Sequence, residues 1–178
     1  SAEHPINVLN LDPTQGAQLL EGPKIDIVTD DNYIIREAVP IRALMVSCLK
    51  VHDLLDVKPR PAKSCIFGTL DIESVEALLV IFTTDKLLQT NEVNLVTSDF
   101  IKDIIMYKIS VAFGICHAHT RSLLRSLCDT IQSRLLTRDE LDSVVPGLPA
   151  SGQLFKHHAN HLSYQCFKGQ IPDILGFH

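Results

Sequence analysis

Apolar positions along this chain follow two spacings, and the switches between them predict its elements. Ile25 to Thr29 and Tyr33 to Arg36 alternate apolar with polar, the period of short half-buried strands. Asp30-Asp31-Asn32 lies between them, and short polar side chains that bond back to the backbone predict a turn. The two strands therefore form a hairpin. Over residues 38–55 the spacing changes. Leu44, Cys48, Val51 and Leu55 recur at i, i+4, i+7 and i+11, which predicts one helix with a single apolar stripe. Pro40 falls near its first turn, where the missing N–H costs little. Two prolines between Val57 and Lys63 predict a loop, and Ser64 to Phe67 reads as a third strand. Asp71 or Thr69 can cap a second helix with Glu73 in its first turn and Val75, Leu78, Leu79 and Phe82 on one side. Residues 83–98 read as irregular, with Leu87, Leu88 and Val93 as anchors.

The second half keeps the helical period throughout. Ser98 is the expected N-cap of a helix reaching about residue 115. Its apolar faces on more than one side predict a central, buried element. Thr120 should start another, carrying Leu123, Leu124, Leu127, Cys128, Ile131 and Leu135. Thr137 and Glu140 have the spacing of a capping box; Leu141, Val144 and Val145 form the apolar face, and Pro146-Gly147 stops the helix. The first 23 residues read as a mostly irregular arm. The order strand, strand, helix, strand, helix, then helices only, implies an α+β fold: a small sheet flanked by helices with an all-helical C-terminal half. The expected core is Ile25, Ile27, Ile34, Leu44, Cys48, Leu55, Leu78, Leu79, Ile104, Leu124, Cys128 and Ile131.

Composition narrows the classes. With 46% apolar residues the 178-residue chain is globular rather than disordered. A net charge of -5 without a basic stripe gives no electrostatic case for nucleic acid or an anionic membrane. The five cysteines are odd in number and form no CxxC pair, so thiols in a reducing compartment, nucleus or cytoplasm, are expected. Residues 1–10 lack the basic-then-apolar pattern of a secretory leader, and no apolar run is long enough to span a bilayer.

Candidate chemistry is sparse. His157 and His161 would share a helix face, with His158 and Cys166 nearby, a spacing that can hold zinc. The carboxylate of a hydrolytic HExxH site is missing, so surface histidines or a His-rich contact surface compete with a structural metal. His117 and His119 sit at a helix junction without further ligands close in sequence. There is no GxSxG, GxGxxG or GxxxxGK motif. Neither a catalytic residue nor a cofactor is expected, and Cys48 and Cys128 read as small apolar fillers.

Three stretches, taken in order, resemble the Skp-type branch of the BTB/POZ fold, which includes elongin C. They are "KIDIVTDDNYIIREAVPIRALMVSCLKVHDLLD" from Lys24, "FGTLDIESVEALLVIFTTDK" from Phe67, and "LLRSLCDTIQSRLLTRDELDSVV" from Leu123. The resemblance implies an arm (1–23), a BTB/POZ-like core (24–118), a helical extension (119–146) and a linker with an apolar, His-containing tail (147–178). It also implies a non-enzymatic adaptor bridging a cullin-like scaffold to an F-box-like receptor in a ubiquitin-ligase complex. Two features depart from the family: the loop "VKPRPAKS" is basic where an acidic one is usual, and the tail has no Trp. A structural or self-associating BTB-like module and a small enzyme therefore stay open. In the adaptor reading the contact residues are Leu135, Leu136, Leu141, Val144, Val145, Phe155, Leu162, Tyr164, Phe167, Leu175 and Phe177. They are chosen because a small sheet and a few helices are unlikely to bury so much apolar surface. The opposite expectation, a tail folded back over its own helices, is the competing one.

Overall fold

The computed structural model describes residues 10–56, 63–66, 71–84, 93–144, 146 and 152–167. The predicted hairpin is present as β1 (Lys24–Thr29) and β2 (Ile34–Pro40). Its turn closes by two backbone bonds, Thr29 N–H to the Tyr33 carbonyl at 2.8 Å and Asn32 N–H to the Thr29 carbonyl at 3.0 Å. Asn32 sits at φ 64°, a left-handed conformation that Asn tolerates better than most residues. The third strand, β3 (Lys63–Ile66), runs parallel to β1 on its other side, giving the order β2-β1-β3.

Two irregularities in β2 correct the expected core. Between Ile25 and Ile27 of β1, and again between Ile27 and Val28, β2 carries an extra residue. The bulges turn Ile35 inward and leave Ile34 exposed, the reverse of the expectation. Ile27 and Val28 are consecutive yet both buried.

The single helix expected over 38–55 is two: α2 (Ile41–Ser47) and α3 (Leu49–Leu55). β2 runs on to Pro40, so the helix begins later than its proline suggested. The break falls at Cys48, which forms an isolated antiparallel bridge with Ile115. The next amide, Leu49 N–H, donates to the Gly114 carbonyl at 3.2 Å. The predicted stripe survives the break, because Leu44, Cys48, Val51 and Leu55 are all buried.

α1 (Pro13–Leu20) lies in the arm that was expected to be irregular. Asp12 and Gln15 cap each other reciprocally, and Pro13 takes the first turn. α4 (Ile72–Thr83) starts on Asp71, whose carboxylate accepts from Ser74 N–H, and buries Val75, Leu78, Leu79 and Phe82 as expected. α5 (Phe100–Phe113) is capped by Asp99, not Ser98: the Asp99 carboxylate accepts from the amides of Ile101 and Lys102. α5 buries Phe100, Ile104, Met106, Tyr107, Ile109 and Phe113, the many-sided burial foreseen for a central helix.

α6 (His117–Ser133) begins three residues before the expected Thr120. That start sets its buried stripe at His119, Leu123, Leu127 and Ile131, four residues apart. Leu124 and Cys128 consequently flank the core, half-buried, instead of lying in it. α7 (Arg138–Val144) packs on α5, and α8 (Gln153–Phe167) packs on α6. One cluster of buried side chains joins Ile25 and Ile27 of the sheet to Ile104, Leu123, Ile131, Val144 and Leu154. Each fully buried Leu, Ile or Phe contributes about 1.5–3 kcal/mol relative to exposure. Of the loop predicted over Val57 to Lys63, Lys63 opens β3 instead and the rest lies outside the described residues, as do the anchors Leu87 and Leu88.

Candidate interaction surface and polar cleft

The stretch from Arg134 to Val144 is fixed by one ion pair that is also a helix cap. α6 ends at Ser133, and Arg134 adopts an extended conformation. Its guanidinium meets the Glu140 carboxylate in a fork, Nη1 to Oε2 at 2.8 Å and Nη2 to Oε1 at 2.6 Å. Nη1 also donates to the Leu135 carbonyl at 3.1 Å. The guanidinium carbon stands 5.9 Å from the centroid of the Phe100 ring. Glu140 simultaneously accepts from Thr137 N–H at 2.8 Å, while its own N–H donates to Thr137 Oγ1 at 3.3 Å. This is the predicted capping box, with an added cation that the sequence reading missed. The Arg134 hydrogen bonds, followed by the Thr137 amide, pull the Glu140 carboxyl down to about 2. A second tie, from the Lys108 ammonium to the Ser143 carbonyl, fastens the end of α7 to α5.

These ties decide where the expected contact residues go. Leu135 is turned outward, 54% exposed. Leu136 is half-buried against the core, and Leu141 is half-buried on α7. Val144 is fully buried in the chain's own core, so it is corrected from contact residue to core residue. On α8, Phe155 is half-buried and Tyr164 is 55% exposed. Leu154 is buried, so the first turns of α8 cover the chain's own body. Val145, Leu175, Phe177 and the side chains of Leu162 and Phe167 lie outside the described residues. Ile101, at the start of α5 beside the Arg134–Phe100 contact, is exposed and was not foreseen. No signal in the sequence marks it, because the same helix is apolar on several faces.

A cleft of about 460 Å³ opens between the start of α5, the end of α6 and α7, lined by Asp99, Asp103, Thr130, Arg134 and Glu140 among others. It gathers charged groups as an active site would, yet each already has a structural task. Asp99 caps α5. Asp103 accepts from the Thr97 amide at 2.7 Å and its hydroxyl at 2.6 Å. Glu140 and Arg134 neutralise each other.

The histidines separate by burial. His117 is exposed, whereas His119 is buried with its ring edge-on to Phe82, centroids 5.2 Å apart. Burial lowers the His119 proton affinity, and neither ring nitrogen has a hydrogen-bond partner among the described residues. His158 is buried likewise, with His157 and His161 half-buried beside it. Among the described residues no three His, Cys, Asp or Glu side chains group as metal ligands, and the Cys166 side chain lies outside them. Burial pushes the Cys48 thiol up to about 12, so it stays protonated and packs as an apolar group. No helix among the described residues is long and apolar enough to cross a membrane. No family model matches this chain, and no curated protein or solved structure matches it either.

Proposed function

We propose that the chain is a non-enzymatic adaptor of BTB/POZ type, holding protein partners in the nucleus or cytoplasm. The observation that carries this reading is the path of the first half. A hairpin is followed by a helix pair, and the chain then returns as β3, parallel to β1 on the side away from β2. Among the described residues that follow, the regular elements are helices. The Skp-type resemblance implies this succession of elements, and the step from fold to partner is an analogy with that family. The polar cleft favours the same reading, because its charges are consumed in caps and an ion pair. The partner-contact face then centres on Leu135, presented outward by the Arg134–Glu140 fork, with half-buried Leu141 and exposed Tyr164 and Ile101 as further anchors. Exposed leucine and aromatic side chains are frequent interface anchors.

The test is affinity capture with the wild-type chain and with Leu135→Asp and Tyr164→Asp, paired with light scattering of each purified protein. A cullin-like scaffold and an F-box-like receptor co-purify with wild type and are lost, at least tenfold, with Leu135→Asp at unchanged thermal midpoint. A defined homo-oligomer without those partners assigns a self-associating scaffold instead. A monomer that captures neither defeats the adaptor reading.

A further inference from the structure

α8 has few described anchors on the body. It packs on α6, and the buried side chains described for it are Leu154 and His158. One anchor is a leucine. The other is an imidazole, 4% exposed, with neither Nδ1 nor Nε2 hydrogen-bonded among the described residues. A neutral imidazole tolerates such a place at the cost of its lost water bonds, whereas an imidazolium there is a buried charge without a counterion.

The groups around His158 make protonation harder still. On its own helix, His157 precedes it and His161 lies three residues on, within side-chain reach. Both raise the cost of a proton on His158, after burial itself. The Nε2 of His157 is also buried, with no hydrogen-bond partner among the described residues. On α6, the titratable groups turned from solvent are His119 and Cys128. His119 is held neutral by burial, and the Cys128 thiol is raised by burial and by Asp129. Arg121, Arg125, Asp129 and His117 of α6 are exposed. Neither helix therefore offers His158 an anion at the interface.

We propose that α8 is a pH-operated latch, docked on α6 while His158 is neutral and released when that imidazole takes up a proton. Once undocked, His158 is an ordinary solvated histidine, titrating near about 6.5. The docked form binds the proton less readily, so docking is fully favoured above about 6.5 and weakens as pH falls below it. At pH 5.5 the undocked form gains from this one group a factor of at most about ten. Release uncovers Leu154 and the part of α6 beneath it, an apolar surface hidden at neutral pH. The latch belongs to the fold and is independent of what the chain binds.

Hydrogen exchange of the full chain, corrected for the intrinsic pH dependence of exchange, reads the latch directly. Protection of residues 153–161 falls from pH 7.5 to 5.5, by at most about tenfold, and residues 100–113 lose less. His158→Leu removes the pH dependence at 153–161, and His157→Asn with His161→Asn reduces it. Nuclear magnetic resonance titration of wild type, which needs no variant to fold, shows the His158 ring taking its proton together with loss of α8 protection. Unchanged protection of α8 at pH 5.5 overturns the proposal. So does an equal loss in α5 and α8, which would be global unfolding, and so does an undiminished response in His158→Leu.

Discussion

α5 and α8 have nearly the same length, 14 and 15 residues, and opposite means of attachment. α5 is wrapped. It buries apolar side chains on several faces, and its two buried polar groups are satisfied, Asp103 by Thr97 and Ser110 by the Met106 carbonyl. Its first turn is capped by Asp99, and its end turns on Gly114. The described part of α8 rests on a leucine and an imidazole without a hydrogen-bond partner among the described residues, against α6. Burying apolar area is insensitive to pH, whereas burying a base ties packing to proton activity. The contrast separates a helix that defines the fold from one that the fold can let go.

The sharpest way to break that contrast is to truncate one anchor on each helix. Ile104→Ala, at a fully buried position on α5, is expected to cost about 2–5 kcal/mol in urea unfolding. Leu154→Ala on α8 should shift that midpoint less and instead abolish exchange protection over residues 153–161. Equal shifts of the global midpoint would show that α8 is as integral as α5.

The junction at Gly114 comes next. Gly114 has φ 71°, and a Cβ there would stand 2.9 Å from the Lys50 backbone nitrogen. Gly114→Ala therefore meets a left-handed penalty of about 1–2 kcal/mol and a backbone clash that no rotamer relieves. The clash falls where Leu49 bonds to Gly114, so exchange at the start of α3 should rise with the loss of stability. A loss below about 0.5 kcal/mol would mean that this crossing is loose.

The same junction explains which parts of the fold the sequence could disclose. Strand alternation, the Asp71 cap, the α4 face and the Thr137–Glu140 box are local, so their residues announce them. The break at Cys48 is not local. Its cause is Ile115, 67 positions on, and the apolar spacing of 44–55 is the same for one helix or two. The inversion of Ile34 and Ile35 has a similar source. Either isoleucine could face the core, and bulges set by pairing with β1 chose between them. At the candidate surface, the cap was visible but Arg134, which fixes the outward turn of Leu135, was not. An arginine six residues from its carboxylate signals nothing until the chain folds the two together.

A smaller effect separates local from global acid sensitivity. His119 is buried among apolar groups in the main body, and burial lowers its proton affinity. The folded state then refuses a proton that the unfolded chain accepts, so stability is complete above about 6.5 and declines as pH falls below it, by about 1.4 kcal/mol per unit at most. His119→Leu should flatten this decline in urea midpoints between pH 7 and 5.5 without altering the exchange response of α8. If His119→Leu also silences α8, the two histidines form one titrating unit and the contrast between body and latch fails.

The smallest effect concerns the bulge itself. Ala38 sits at φ 54°, in the left-handed region, within β2. Its amide is turned out of the ladder to donate to Asp26 Oδ1 at 2.9 Å. An alanine held there is disfavoured by about 1–2 kcal/mol against the right-handed region, whereas glycine is indifferent. Glycine also gives the unfolded chain more freedom, which returns about 0.5–1 kcal/mol. The difference leaves Ala38→Gly more stable by about 0.5 kcal/mol, a small upward shift of the urea midpoint. Ala38→Val, branched at Cβ, should be destabilising at the same position. Asp26→Ala removes the acceptor that holds the amide, so it should cancel the gain from Ala38→Gly by freeing the bulge to relax. A stabilisation by glycine that persists in the Asp26→Ala background would mean that Asp26 does not hold the strand in this register. Stabilisation by valine would mean that the left-handed turn at Ala38 is not part of the folded protein.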